Sequence, residues 1–448
     1  MKFITKILLP ILVFAALNCS QSIAAVSLRI DSEAIPKIKI LFNSTSQNNI
    51  QAKIDIDSIL NRVQRNLKGT DLFDVIQKKD IAAINAGNVG NLYITKVPDF
   101  ITYSNKGVGM ILIVDANFSQ NGDLEIKVRL WDVLDERQLF GKFYAADVDN
   151  HKKVASLISD EIFKVAIGEK IGYFDSKITY IAESGRATKR TKRIAMIDFD
   201  GENLRYLTSG RDLVLTPIFL KQKNEILFVR FFGEKPQIYS LNIDDALVRK
   251  VSSFRGTTFA PTVNSKDNNI IAFSAIENGS SNIYQMNLFS NQTTRLTNTR
   301  SIDTTPSYSP DGQYIVFSSD RTGSEQIYIM NQEGRDLRKI TSGDGSYSKP
   351  MWSPDGKFIA FTKMKAGQFS IGIININGKN EKTITSGYLV EGAKWSPNSR
   401  YLLYSRKTGA YGKASIPRLY IVDTLTGFER QILTPENEGA TDPDWIAN

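Results

Sequence analysis

Among 448 residues there is one histidine and one cysteine, and their scarcity excludes whole classes of chemistry. A zinc centre built on several imidazoles cannot be assembled from His151 alone. A Ser-His-Asp or Cys-His site would have to use that same residue, and no G-x-S-x-G elbow accompanies it. Neither a Walker A loop nor a dinucleotide-binding glycine fingerprint is present, because the glycines are scattered singly through turns. Beyond the first residues no apolar run approaches the ~20 residues of a membrane-spanning helix. What remains is an ordinary soluble composition, 42% hydrophobic and 23% charged, in a chain long enough for two domains.

The amino-terminal stretch has the grammar of a secretory signal. Lys2 and Lys6 precede the apolar run Ile7–Leu17, and Ser22-Ile-Ala-Ala25 supplies small residues for cleavage after Ala24 or Ala25. Cys19 follows Asn18 rather than a small residue, so it reads as part of the discarded peptide rather than as a lipid anchor. The expectation is a secreted mature chain without cysteine, hence without disulfides or thiol chemistry. Charge divides unevenly: residues 26–170 carry 19 basic and 19 acidic side chains, residues 171–448 carry 35 and 28. A surplus of that size over a large surface reads as solvation, and nucleic acid is not an expected partner.

Internal repetition decides the architecture. Pro217, Pro261, Pro306, Pro350, Ala393 and Pro443 begin related segments at intervals of 44, 45, 44, 43 and 50 residues. The best-formed copies are Pro306–Gly312 and Pro350–Gly356, each ending in Ser-Pro-Asp-Gly, where Pro presets φ and Gly accepts a positive one. Alternating strands follow, as in Ile315-Val-Phe317 and Ile359-Ala-Phe361, then Ile327-Tyr328, then Lys339-Ile-Thr341. This is the period of a four-stranded propeller blade. The segment from Lys177 to Thr208 lacks a first strand, and Pro443–Asn448 supplies only a first strand. The two fragments therefore complete one blade. The fold class expected is an α/β N-terminal domain plus an all-β six-bladed β-propeller closed by the C-terminal strand. Boundaries fall at 1–25 (signal peptide), 26–170 (α/β domain) and 171–448 (propeller).

Before the repeats, Val26–Ile30 and Lys37–Phe42 alternate as strands. Ile56, Ile59, Leu60, Val63 and Leu67 recur at helical spacing across Ala52–Leu67. Strands are predicted at Leu92–Val97, Met110–Phe118, Asp123–Asp132 and Gln138–Ala145, and a helix at His151–Ile167. His151, beside Lys152 and Lys153, is expected to be a solvated surface residue. Asp311 and Asp355 sit one per hairpin and are expected to be turn residues rather than calcium ligands. The basic run Arg186–Arg193 is expected to be a solvated hairpin loop. No cofactor or metal is expected; a cation in the propeller channel stays open, with no ligands named by the sequence.

The order of signal peptide, α/β domain, linking helix and six repeats resembles the TolB family, periplasmic components of the Tol–Pal system in Gram-negative bacteria. The most specific stretch runs from Ser159-Asp-Glu-Ile-Phe163 through Gly168 and Gly172 into Ile178-Thr-Tyr-Ile181. The resemblance implies a non-enzymatic, monomeric scaffold, not inserted in the membrane, that supports outer-membrane integrity and constriction during cell division. It implies binding of the peptidoglycan-associated lipoprotein Pal at the propeller mouth, in loops before the first strand of a blade. The matching positions are Thr257, Ala260 and Thr304, with Leu215, Ser348, Glu391 and Thr441 added by repeat symmetry. It implies binding of TolA through the mature N-terminus, Val26, Ser27, Leu28, Arg29, Ile30 and Asp31, a segment suited to strand addition. Thr257 and Ser156 depart from the family pattern, standing where histidine is expected. Two other readings stand beside this one: a secreted propeller hydrolase or lyase acting on glycans or peptides, and a lectin-like module.

Overall fold

Ile38–Ser46 (β1) is an inner strand of a mixed sheet, and its consecutive buried residues Ile40, Leu41 and Phe42 show that both of its faces are covered. The computed structural model describes residues 36–46, 50–77, 92–147, 150–186, 189–231, 233, 235–251, 254, 256–407 and 416–447. The leader, the strand expected at Val26–Ile30 and the candidate TolA-binding residues lie outside them. Helix α1 (Ile50–Lys68) follows, then β2 (Phe73–Gln77), the short helix α2 (Phe100–Ser104), β3 (Met110–Phe118), β4 (Leu124–Asp132), β5 (Arg137–Ala146) and helix α3 (His151–Ile167). Sheet order is β2-β1-β3-β4-β5, parallel at β2-β1-β3 and antiparallel from β3 onward. The apolar stripe of α1 (Ile56, Ile59, Val63, Leu67) and that of α3 (Ile158, Ile162) pack on one face.

One expectation fails here, and one strand went unread. Leu92–Val97 is not a strand; Leu92 and Ile94 instead cover the other face of the sheet with Tyr103 and Val108, over Leu41, Ile111 and Trp131. Phe73–Gln77 is a strand that alternation alone left undetected, since its five residues show only Phe73 and Val75 as buried apolar positions. Its partner β1 supplies what the local pattern lacks.

Helix α3 ends at Gly168, which takes a left-handed φ of 78°. The chain then folds back so that Asp160 accepts hydrogen bonds from the backbone N–H groups of Tyr173 (2.6 Å), Phe174 (2.9 Å) and Asp175 (3.2 Å). Gly172 is obligatory here: a Cβ would stand 2.2 Å from the Asp160 carboxylate. Burial raises the Asp160 carboxyl above the usual range, although the three N–H donors pull it down. Replacing Asp160 with Ala leaves those donors unpaired, and we expect a cost of about 2 kcal/mol, read as a lower urea midpoint at unchanged m-value.

Beyond the linker stand six four-stranded antiparallel sheets. The sixth joins the C-terminal strand (Gly439–Ala447) to β6 (Ser176–Ser184), β7 (Thr191–Asp198) and β8 (Arg205–Tyr206), so the ring closes as the sequence predicts. Trp445 is 9% exposed; its Nε1 donates to Ser176 Oγ at 2.7 Å and its ring stacks on Phe199 at 5.8 Å. The Ser-Pro-Asp-Gly turns are held by their own side chains. Ser309 Oγ donates to Asp311 (2.5 Å) and accepts from Tyr314 N (2.9 Å). Ser353 repeats this with Asp355 and Phe358, and Ser396 with Asn398 and Tyr401. The aspartates are thus committed to turns.

Candidate protein-binding face

In each blade the first-to-second and third-to-fourth strand turns fall on one face of the ring, and the remaining loops fall on the other. The α/β domain occupies the first of these faces. Arg62 of α1 lies 3.1 Å from Asp198, 3.0 Å from Asp200 and 3.1 Å from Glu202, all on the β7–β8 turn. Arg400, in the turn of the fifth blade, bonds Asp423 at 2.8 Å and approaches Glu169 of the linker at 3.6 Å. Between them lies an aromatic cluster: Tyr173 stacks on Phe174 (4.3 Å) and meets Tyr401 (4.7 Å) and Phe199 (5.0 Å). His151 belongs to this half of the molecule and is not solvated. Its side chain is 12% exposed, with Nδ1 3.8 Å from Asp55, because α1 packs against that side of α3. An imidazole wedged there serves no open site.

The opposite face is the mouth. Every first strand carries a β-bulge at the same place, two residues opposing one in the second strand. The bulged pairs are Thr216-Pro217, Ala260-Pro261, Thr305-Pro306, Lys349-Pro350, Gly392-Ala393 and Asp442-Pro443. Opposite them stand the buried aromatics Phe228, Phe273, Phe317, Phe361, Tyr404 and Tyr180. Proline suits the second bulge position because it has no N–H to leave unpaired. The first position takes a left-handed φ: 47°, 47°, 51°, 50°, 73° and 46° around the ring. Five of these six residues are not glycine, and each such conformation costs on the order of 1–3 kcal/mol unless its surroundings enforce it. Here the enforcing element is closure, which packs the six bulges against one another around a channel of about 110 Å³.

That channel has room for a few waters. Lys349 Nζ lies 2.5 Å from Glu391 Oε2. Burial works to lower the Lys349 ammonium, but Glu391, Asp442 and Glu325 outweigh it and hold it above the ordinary lysine value. Deeper, Lys394 Nζ stands 3.4 Å from Asp444, whose other oxygen accepts Phe219 N–H at 3.0 Å, tying the fifth, sixth and first blades together. Burial raises the Asp444 carboxyl despite Lys394.

The sequence-predicted contact residues fall differently from expectation. They lie within first strands rather than in the preceding loops, because pairing with the second strand extends to the rim: Thr257 pairs with Ile276, Thr304 with Ser318, Leu215 with Val229, Ser348 with Thr362, Glu391 with Ser405 and Thr441 with Ile181. Five of them are equivalent by register, and the second blade's equivalent is Phe259, facing Ser274, rather than Thr257. Ala260 is a bulge residue in the channel wall. The bulge ring itself went unread, although the residue before each repeat anchor marked it. Also unread was a rim of apolar side chains, Leu213, Ile276, Ile302, Met364, Tyr388 and Ile416, between 38% and 55% exposed on mouth loops and strand ends. The basic hairpin is only partly solvated: Arg190 and Lys192 pair with Glu183 at 2.9 and 2.6 Å, and Arg193 pairs with Glu438.

Fold and site together define a two-domain propeller protein, with a mixed-sheet α/β domain seated on one face of a six-bladed ring and the other face open. Residues 164–447 match the family model described as the TolB beta propeller domain, and residues 26–139 match the TolB amino-terminal domain. The chain belongs to the TolB family. It is similar to the crystal structure of TolB from Acinetobacter baumannii, at 25% identity and a TM-score of 0.77, covering 92% of this chain and 97% of that one. Hydrazine synthase from Kuenenia stuttgartiensis shares the fold over 60% of this chain and 46% of its own, at 17% identity and a TM-score of 0.50. Among the described residues no helix is long and apolar enough to cross a membrane.

Proposed function

We propose that this chain is a periplasmic, non-enzymatic scaffold of the Tol–Pal system. It binds Pal at the propeller mouth and TolA through Val26–Asp31, and so supports outer-membrane integrity and constriction during division. The observation that carries the reading is the rim of six half-exposed apolar side chains on the one face that the α/β domain leaves open. Half-exposed apolar side chains distributed among polar loops around a rigid ring suit a folded protein partner. Thr304 stands at the rim with its Oγ1 2.9 Å from Ser318 Oγ. Thr304→Arg places a long charged side chain in the contact area without disturbing the core. We expect it to weaken binding of the soluble domain of Pal by more than tenfold in calorimetric titration, with an unchanged melting midpoint. Retained affinity would argue against this face.

A further inference from the structure

Between the fifth and sixth blades the mouth deepens into an open pocket of about 580 Å³. Its walls are preorganised. The Arg418 guanidinium donates to the carbonyls of Pro435 (2.7 Å), Glu436 (2.5 Å) and Glu438 (3.0 Å), clamping the loop that forms one side. Ala440 N–H donates to Pro417 O at 2.9 Å, and Gly439 lies so close to Pro417 that a Cβ would stand 3.0 Å from its ring. The floor holds Glu183, 8% exposed, already bound by Arg190, Lys192 and Thr441 Oγ1. Glu391, the other carboxylate in the lining, is taken by Lys349.

The remaining charges are cationic. Arg186 and Lys407 line the pocket, and among the described residues no carboxylate pairs with either. Among the lining residues, Arg186, Arg190 and Lys407 stand against Glu183 and Glu391, a surplus of one positive charge. Leu389, Ile416 and Pro417 add apolar wall, and Glu391 and Thr441 belong at once to the pocket and to the ring of mouth positions. The clamped walls, the two cations without a carboxylate partner, the apolar strip and the continuity with the mouth together suit an occupant that is acidic and partly apolar.

We propose that this seam binds an acidic segment of the protein partner that docks on the mouth, with its carboxylates on Arg186 and Lys407 and its apolar side chains against Leu389 and Ile416. The assignment deepens the protein-binding reading of the mouth and rests on it. Such a contact steers encounter and fixes orientation, and it weakens as salt screens it.

Two titrations of the mature chain test it. A fluorescein-labelled peptide of alternating glutamate and leucine, followed by anisotropy, should bind the wild type saturably. The double variant Arg186→Glu, Lys407→Glu should weaken that binding by roughly tenfold, with an unchanged melting midpoint. Absence of saturable binding to the wild type, or equal binding by both, overturns the pocket. In the second titration, the soluble domain of Pal should lose affinity for the double variant at low salt and lose much less at high salt. Pal affinity that is insensitive to the double variant yet lost with Thr304→Arg removes the seam and leaves the mouth reading standing. Peptide binding without any Pal binding does the reverse: the pocket stands and Pal is not its partner.

Discussion

A chain that stops at Thr441 will unfold at a markedly lower temperature than the full protein and with a broader transition. The residues removed supply the pairs Asp444–Thr179, Trp445–Ile178, Ile446–Lys177 and Ala447–Ser176, which join the end of the chain to β6. They also take away the carboxylate that holds Lys394 and the Phe219 N–H, so a buried ammonium and a backbone donor lose their partner together. Exposed strand edges then face solvent and invite association between chains. The single substitution Trp445→Ala isolates the packing part. It empties a space lined by Tyr173 and Phe199 and should cost about 3–5 kcal/mol. Trp445→Phe keeps a ring there and gives up the hydrogen bond to Ser176, at about 1 kcal/mol. Calorimetry or urea titration ranks the three variants, and an unchanged midpoint in the truncated chain would refute closure by the tail.

Arg62→Ala should cost about 3 kcal/mol, because the arginine is only 6% exposed and its loss leaves Asp200 without its ion-pair partner and Asp198 and Glu202 with one cation fewer. The pH dependence gives the signature. Burial acts to raise Glu202, but Lys152, Arg62 and Arg65 outweigh it and hold the carboxyl below its usual range. That stability is present above the ordinary carboxylate pKa and is lost as pH falls through the lowered value. Burial lifts Asp200 above its usual range in spite of Arg62, so its contribution has the opposite sense and fades as pH rises. Without Arg62 both carboxyls take protons more readily. The deficit of the variant should therefore be widest at neutral pH and should narrow as pH falls into the carboxylate range. A deficit that is constant with pH would show that the arginine stabilises through its packing alone.

Much of this is legible in the sequence. The recurrence of Pro306–Gly312 and Pro350–Gly356 follows from chemistry confined to a few neighbours, a serine and an aspartate bonding within one turn, and such chemistry leaves its mark in the residues themselves. The incomplete blade at Lys177–Thr208 and its missing strand at Pro443 were readable for the same reason. His151 was misplaced because its environment comes from α1, nearly a hundred residues away in the chain. Phe73–Gln77 escaped because a short parallel strand takes its definition from its partner, and the charged seam escaped because Arg186 and Lys407 come to line one pocket only when the ring closes.

The residues alone determined the number of blades, the closing strand and the division into an α/β domain and a ring, since each rests on periodicity or on hydrogen bonds between near neighbours. Tertiary structure decided which face stays open, which carboxylates are already paired, and that the residue before each anchor lines the channel in a left-handed conformation. Those are properties of groups brought together from distant parts of the chain, where burial and opposite charge settle the outcome and no local pattern records it.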